Sequence, residues 1–416
     1  MYTLSDMSGP KRAFALLFFV LCAAAWADNN DLISSWVGTF SPYIDPNTGL
    51  TIFPTLSVPM GGRYEGMGTA HVAVGLDTGF IESNPAASSI LRNTQLSFYH
   101  HNWIADTSLE GVVYTIRFDD LGIGVGGKLL YVPFTYHNEW GADGPSGYVS
   151  ESIATLNLSY NFFQNYYFYG LAAGMNLKAA YRSIPDAFSA NQSTLALLSD
   201  FGIRTSFNVM KFFHSRDKNV SLGATLRNLG FSTIQGEQLP LTASAGLSYS
   251  PLRPWIIAYD FNYPLSLDPV NAPAEQWNMA FGTNVNVTDF ISIQGGVLLK
   301  LSNPHVSLGT SIDLGYVNFV VNYNLDLSGR MNPEDKFSVQ AQFNLGDFGR
   351  AAVQAEVDQL YLAGVEEYAK GNYEKAMEYW TRVLELDPTY LPAKDNISST
   401  RRSIDLQREI ELREIE

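Results

Sequence analysis

The sequence has one cysteine, few basic residues and few charges of any kind. Cys22 is the only cysteine, so disulfides and cysteine-based metal sites are excluded from the rest of the chain. Acidic residues outnumber lysine and arginine by 41 to 26, and this excess argues against a nucleic-acid partner, because phosphate binding needs a basic face. Charged residues make up only 16% of the chain, below the roughly 25% of soluble domains, which favours a surface that does not face water everywhere.

The first 27 residues have the features of an export signal. Lys11 and Arg12 precede an apolar run, and Ala25-Trp26-Ala27 fits an A-x-A cleavage site. The alternative, a lipoprotein anchored at Cys22, needs a small residue before the cysteine and meets a leucine. Beyond this signal no run of about 18 apolar residues follows, so no membrane-spanning helix is expected. An exported chain of this kind is a soluble β protein or a transmembrane β-barrel.

Strict alternation of apolar and polar residues dominates from about residue 93 to 345. In residues 317–327 the odd positions are apolar and the even ones are polar except Val320. The polar set is Asn, Gln, Ser, Thr and Gly, which suits the lumen of a barrel whose apolar side chains face lipid. The outer face of a soluble β-sandwich, the alternative, would carry more Lys and Glu. We predict an all-β transmembrane barrel over 93–346, with about 14 antiparallel strands at 93–102, 110–118, 121–132, 151–162, 167–181, 194–208, 219–228, 240–250, 255–263, 276–286, 290–300, 305–314, 316–327 and 335–345.

Two short motifs could indicate chemistry, and both are better explained by strands. "GIGVGGK" (122–128) matches a glycine-rich nucleotide loop, but strand-like residues follow it where a helix is needed. Its alternating glycines predict a smooth strand face against which another segment packs. His100 and His101 are adjacent on a strand and should point to opposite faces, so they cannot easily share a metal ion. No Ser/His/Asp set has a catalytic spacing, and we expect neither an enzyme nor a cofactor.

Residues 350–416 differ in composition from the barrel region. About one third of them are charged and glycine almost disappears, which predicts a separate helical domain. "DQLYLAGVEEYAKGNYEKAMEYWTRVLELDP" (358–388) resembles a tetratricopeptide repeat, with Gly371 at the turn and Asn372 as cap of the second helix. Another helix, from Leu391 to about Glu414, should cover the open side of this single repeat. The resemblance implies a groove for a periplasmic protein, and the alternative is a small bundle without a partner. The candidate partner-binding residues are Tyr361, Gly364, Tyr368, Tyr373 and Trp380.

The stretch "GGRYEGMGTAHVAVGLDTGFIESNPAASSIL" (61–91) precedes the first strand and is rich in Gly and Ala. It resembles the N-terminal signature of FadL-like outer-membrane transporters, and "DPNTGLTIFPTLSVPMGGRYEGMG" (45–68) resembles their uncharacterised spirochaetal, treponemal subgroup. The resemblance implies that residues 28–92 contain a hatch that plugs a 14-stranded barrel. Gly and Ala would let this hatch pack backbone to backbone, and the proline would hold the preceding asparagine extended. The candidate hatch and ligand-gating residues are Gly66, Met67, Gly68, Asp77, Asn84, Pro85 and Ala86.

The resemblance implies a passive outer-membrane channel for hydrophobic compounds such as long-chain fatty acids, gated by the hatch. The C-terminal domain would lie in the periplasm, because both ends of an even-stranded barrel emerge on the same side. Outer-membrane lipid, a hydrophobic ligand and a periplasmic protein are the expected partners. Three alternatives remain: a plug that takes no ligand, a membrane anchor whose repeat domain recruits secretion or envelope-assembly factors, and an open porin, which the hatch disfavours.

Overall fold

The computed structural model describes residues 45–103, 107–137, 140–141, 143–165, 167–186, 192–213, 217–233, 238–301, 304–327 and 336–415. The predicted export signal and residues 28–44 of the predicted N-terminal segment lie outside these ranges. The described chain forms two compact units. One contains the strands and the segment before them, and the other contains residues 161–171 and the C-terminal helices.

Fourteen strands form a closed antiparallel barrel in which each strand pairs with its neighbours in sequence and β1 pairs with β14. Closure leaves no edge strand, so the wall satisfies its own backbone hydrogen bonds. This confirms the barrel and the strand number predicted from the alternation. The strands are β1 Gln95–Asn102, β2 Ser108–Phe118, β3 Leu121–His137, β4 Asp143–Phe162, β5 Leu171–Ser183, β6 Thr194–Phe207, β7 Val220–Ser232, β8 Thr242–Leu252, β9 Trp255–Pro264, β10 Asn278–Asn286, β11 Ile291–Leu299, β12 His305–Asp313, β13 Val317–Asp326 and β14 Lys336–Asn344.

The largest differences from the predicted bounds are in β3, β4 and β5. β3 and β4 extend five and eight residues past their predicted ends, because they pair with each other beyond the alternating region, for example at Thr135 and Ser146. Glycine and proline obscure the alternation there. The aromatic run at 167–169 was assigned to β5 but lies before it, since the strand begins only at Leu171.

The two faces of each strand carry different chemistry. On β13, Phe319, Val321 and Tyr323 are exposed on the outside, whereas Asn322 and Asn324 are buried on the inside. The same division holds along β1, β6 and β14. The outer face of the barrel is therefore an apolar, aromatic-rich surface, and the inner face is mostly neutral and polar.

The segment before β1 runs through the barrel from one end to the other. We call residues 45–60 the strap and residues 61–91 the plug. The strap starts at the end where the β9–β10 and β7–β8 connections lie, here called the upper end: Asn47 Nδ2 donates to Ala274 O at 2.8 Å, and Ile52 N donates to Gln238 O at 2.9 Å. The plug contains helices α1 Gly62–Gly66 and α2 Phe80–Ser83, and 3₁₀ helices occupy Pro54–Leu56 and Pro85–Ile90.

The C-terminal unit contains helices α3 Arg350–Ala369, α4 Tyr373–Leu386 and α5 Leu391–Ile415. Trp380, Val357 and Tyr390 belong to its apolar core.

Gly371 has a φ of +84° between α3 and α4, as the turn prediction required. Asn372 occupies the N-cap position of α4, but its side chain makes no hydrogen bond to the helix backbone, so the predicted side-chain cap was wrong. Its amide instead donates to Glu367 Oε2 at 2.8 Å. Among the described helices, none has both the length and the apolar character needed to cross a membrane.

Candidate functional site

The predicted glycine signature of the plug lies in direct contact with the barrel wall. A Cβ atom on Gly68 would stand 2.6 Å from the backbone nitrogen of Val297, and one on Gly66 would stand 2.6 Å from Asn322 Oδ1. Met67 is fully buried and packs with Ala70 and Val74 against apolar residues of β9 and β10. Only glycine permits so close an approach of plug backbone to wall.

Asn84, Pro85 and Ala86 form a buried corner between α2 and the last 3₁₀ helix. Asn84 is extended (φ −151°, ψ 108°), as the proline after it predicts, and its Oδ1 accepts a hydrogen bond from Ala86 N at 3.1 Å. Its amide Nδ2 donates to Val72 O at 2.8 Å and to Ile203 O of β6 at 3.1 Å. The side chain therefore joins two parts of the plug to the wall.

Asp77 lies in a buried polar cluster with Arg63 and His71. Its Oδ1 accepts from Gly79 N at 3.0 Å, and each of the two basic side chains approaches it to 3.7 Å. The His71 side chain is fully buried, and its Nδ1 bonds with Ser83 Oγ at 2.9 Å.

The alternating glycines of β3 form the smooth face that the sequence predicted, and the plug packs on it. A Cβ atom on Gly122 would meet the backbone of Ser88 and Ser89 at 2.3 Å, and one on Gly126 would meet Ile81 Cδ1 at 2.6 Å. The "GIGVGGK" motif thus has a packing explanation.

His100 and His101 point to opposite faces, as predicted. His100 lies outside, 2.7 Å from Glu110 Oε1, and His101 is buried inside, with Nδ1 3.0 Å from Pro59 O and Nε2 3.4 Å from Glu65 Oε1. Within the described residues, no group of three His, Cys, Asp or Glu side chains is placed to hold a metal ion.

Charged residues on the inner wall hold the plug, and sequence reasoning missed them. Asp260 Oδ2 of β9 accepts from His71 N and Val72 N at 2.7 and 2.9 Å. Arg204 Nε of β6 donates to Ala73 O at 2.8 Å. Each occupies a polar position of an alternating strand, Asp260 between Tyr259 and Phe261, so the alternation itself could have placed them in the lumen.

A second charged contact joins the plug to β3 and β7. Lys128 Nζ lies 2.6 Å from Glu82 Oε1, and Glu82 Oε2 accepts from Met60 N at 2.9 Å. Arg227 Nη1 donates to Glu82 O at 3.0 Å. With the contacts described above and those to β13 and β14, the plug is tied to the wall around the whole circumference.

A cavity of about 540 Å³ lies between the strap, the plug and the upper part of the inner wall. This volume falls within the range of small-molecule sites. Its lining is amphipathic, with aliphatic side chains and one tryptophan beside charged and amide groups. The lining includes Leu56, Val58, Trp103, Leu239, Leu241, Leu265 and Leu298 among apolar residues, and Tyr64, Glu65, Glu82, His101, Arg227, Asn262 and Asn324 among polar ones.

The five candidate residues of the C-terminal unit have different exposures. Gly364 and Trp380 are buried against each other, and Tyr361 packs on Tyr390 with ring centroids 5.1 Å apart. Tyr368 is 39% exposed and touches both Tyr373 and Trp380. A role in partner binding for these residues stays a prediction, and the surface positions Leu362 and Val365 of α3 were not among them.

Comparison with solved structures finds a transporter and a porin at low similarity. The toluene transporter TodX of P. putida has a TM-score of 0.47 and 12% identity, over 69% of this chain and 98% of that one. The porin KdgM has a TM-score of 0.32 and 13% identity, over 60% of this chain and 99% of that one.

Sequence relatives come from Treponema pallidum (strain Nichols), as the treponemal resemblance implied. One UPF0164 protein is 26% identical over 371 residues, which cover 86% of this chain and 84% of the relative. A second is 21% identical over 392 residues, covering 85% and 76%. The model of the Uncharacterised protein family (UPF0164) matches residues 44–347, which include the strap, the plug and all fourteen strands, and the chain belongs to this family.

Proposed function

We propose that this protein is an outer-membrane channel for hydrophobic compounds such as long-chain fatty acids, with the plug as its hatch. The observation that carries the proposal is the amphipathic cavity of about 540 Å³ between the strap and the plug, inside a closed barrel. A ligand with an apolar chain and a polar head would find both kinds of group there.

The exterior of the barrel supports placement in an outer membrane. Outward side chains such as Phe98, Val125, Leu156 and Phe281 are large, apolar and 44–53% exposed. Exposing them to water would cost free energy, about 25 cal/mol per Å², which hydrocarbon removes. By topology both ends of the barrel chain, before β1 and after β14, lie at the lower end, which would face the periplasm together with residues 350–416.

Transport through the lumen requires the plug to move, because it contacts the wall on every side. Ser88 Oγ of the plug lies 2.6 Å from Ser159 Oγ of β4, so S88C/S159C places two thiols where a disulfide can form. S206C/S221C is a matched control, because these two hydroxyls lie 2.8 Å apart on β6 and β7 and join wall to wall. Both pairs would be made with Cys22→Ala, which removes the only other cysteine.

The test is uptake of radiolabelled palmitate by proteoliposomes. The proposal expects uptake by the unmodified chain, loss of uptake in oxidised S88C/S159C with recovery on reduction, and no redox effect in S206C/S221C. Absence of uptake and of palmitate binding by the unmodified chain would overturn the channel. Uptake that persists in oxidised S88C/S159C would overturn gating by the plug but would leave the channel itself standing.

A second function, a membrane anchor whose C-terminal unit recruits a periplasmic protein through a tetratricopeptide-like fold, is favoured by a different observation. Leu362 is 65% exposed on α3, and Val353 and Val365 of the same helix are at least 40% exposed. Deletion of residues 350–416 and the substitution Leu362→Glu should both abolish cross-linking to one periplasmic protein while palmitate uptake is unchanged. Uptake that disappears with the deletion, without loss of a cross-linked partner, contradicts the anchor.

A further inference from the structure

A patch of the inner wall near the upper end is apolar. Ile153 of β4, Ala180 of β5 and Leu198 of β6 point inward there, together with Ala196 and Leu239. Farther down the same three strands, inward side chains such as Asn157, Asn176 and Asp200 are polar. An apolar patch in a wet barrel mouth is unfavourable unless something covers it.

The strap covers this patch with the side chains of Ile52 and Phe53. Phe53 is fully buried, and Ile52 is 7% exposed. Both belong to the same buried cluster as the wall residues, and Leu56 packs against its edge. The two side chains thus fill a recess in the wall with about eleven carbon atoms of hydrocarbon, a number counted from their covalent structures.

Phe53 takes an unfavourable backbone conformation to reach the recess. Its φ of 56° and ψ of 61° lie in the left-handed region, which bulky residues rarely adopt. Arg182 holds the ring from one side, with its guanidinium carbon 5.2 Å from the ring centroid. Arg182 also donates to Glu151, whose other oxygen accepts from Thr55 N at 3.2 Å, so the wall holds both the Phe53 ring and the backbone that follows it.

The recess adjoins the cavity above the plug. Thr51, Pro54, Leu56 and Leu239 line that cavity, and they flank the residues that fill the recess. A ligand in the cavity therefore contacts the strap and has an apolar site next to it that side chains of the protein already occupy.

We propose that this recess is the binding site for the alkyl chain of the transported amphiphile, and that Ile52 and Phe53 are built-in competitors that must withdraw first. The proposal rests on the proposed function and identifies the part of the lumen that takes the hydrocarbon. Its ligand class is a straight alkyl chain of about ten carbons, because that amount of hydrocarbon replaces the two side chains.

The first variant is Phe53→Gly, which removes the ring and suits the left-handed backbone of the strap. We expect it to bind straight-chain fatty acids at least about tenfold more tightly than the unmodified chain, because the recess is open to the ligand in a larger fraction of the molecules. Affinity should rise about fourfold per methylene along the series from octanoate and level off beyond a chain of about ten carbons. Phe163→Gly is the matched control, because Phe163 also has a positive φ of 60° but is 76% exposed.

The second variant, T51C/Q238C with Cys22→Ala, locks the strap at its parallel bridge between Thr51 and Gln238. Oxidation should weaken binding of radiolabelled decanoate at least about tenfold, and reduction should restore it. If decanoate binds with equal affinity to the unmodified chain, to Phe53→Gly and to both redox forms of the locked chain, the recess is not the alkyl-chain site, while the channel proposal stands. No binding by any of these forms overturns the channel proposal as well.

Discussion

Gly122 of β3 faces Ser88 of the plug so closely that a Cβ atom on the glycine would stand 2.3 Å from the Ser88 carbonyl carbon. The close approach joins a motif that looked like a nucleotide loop to the segment that fills the barrel. A substitution at Gly122, on the wall, should therefore displace the plug.

We expect Gly122→Ala to push the plug away from β3 and to destabilise the protein by about 1–3 kcal/mol, as overpacking does. Guanidinium unfolding in detergent should show a lower midpoint, and planar bilayers should show higher conductance. Gly127→Ala, in the same strand, would place its Cβ 3.6 Å from Val112 Cγ1, an ordinary contact, and should change neither. Equal effects of the two variants would show that the plug does not depend on this face.

The buried ion pair between Glu82 and Lys128 should be costly to break from one side. Their side chains are 15% and 7% exposed, so Lys128→Met leaves a carboxylate without its cation and should lower the free energy of unfolding by about 3–5 kcal/mol. The double variant E82Q/K128M removes both charges and should recover part of that loss. If the losses in the free energy of unfolding add in a double-mutant cycle, the two charges have no coupling free energy.

Gly364 should be essential to the packing of α3 on α4. A Cβ atom there would stand 2.4 Å from Trp380 Nε1, so Gly364→Val forces the two helices apart. We expect a lower melting temperature of the helical circular-dichroism signal of the full chain, with the β signal retained. Leu362→Ala, on the exposed side of the same helix, should leave this transition unchanged. A shift of similar size in both variants would show that the Gly364–Trp380 contact has no special importance.

The barrel could be predicted because its signal is local. Alternation places successive side chains on opposite faces whatever the partner strand is, so the strand number and the outward set, such as Phe319 and Val321, follow from the chain alone. The positive φ of Gly371 and the extended Asn84 could be predicted for the same reason, since glycine and proline act on their own backbone.

The partners of the plug could not be predicted from local patterns. His71 and Asp260 are 189 residues apart in sequence, and only closure of the barrel brings the carboxylate to the two backbone N–H groups. Asn372 had the residue type of a helix cap, but the nearby Glu367 offered its amide a stronger, charged acceptor.

The sequence by itself determined the fourteen strands, the Gly- and Ala-rich segment before them and the helices after them, because each depends on composition or on a short repeat. Only the tertiary structure decided that the strap crosses the upper end of the lumen, that Phe53 fills an apolar recess formed by three strands, and that a cavity remains between the strap and the plug. These features depend on residues distant in sequence that meet only when the sheet closes on itself, and no local pattern identifies which of those residues meet.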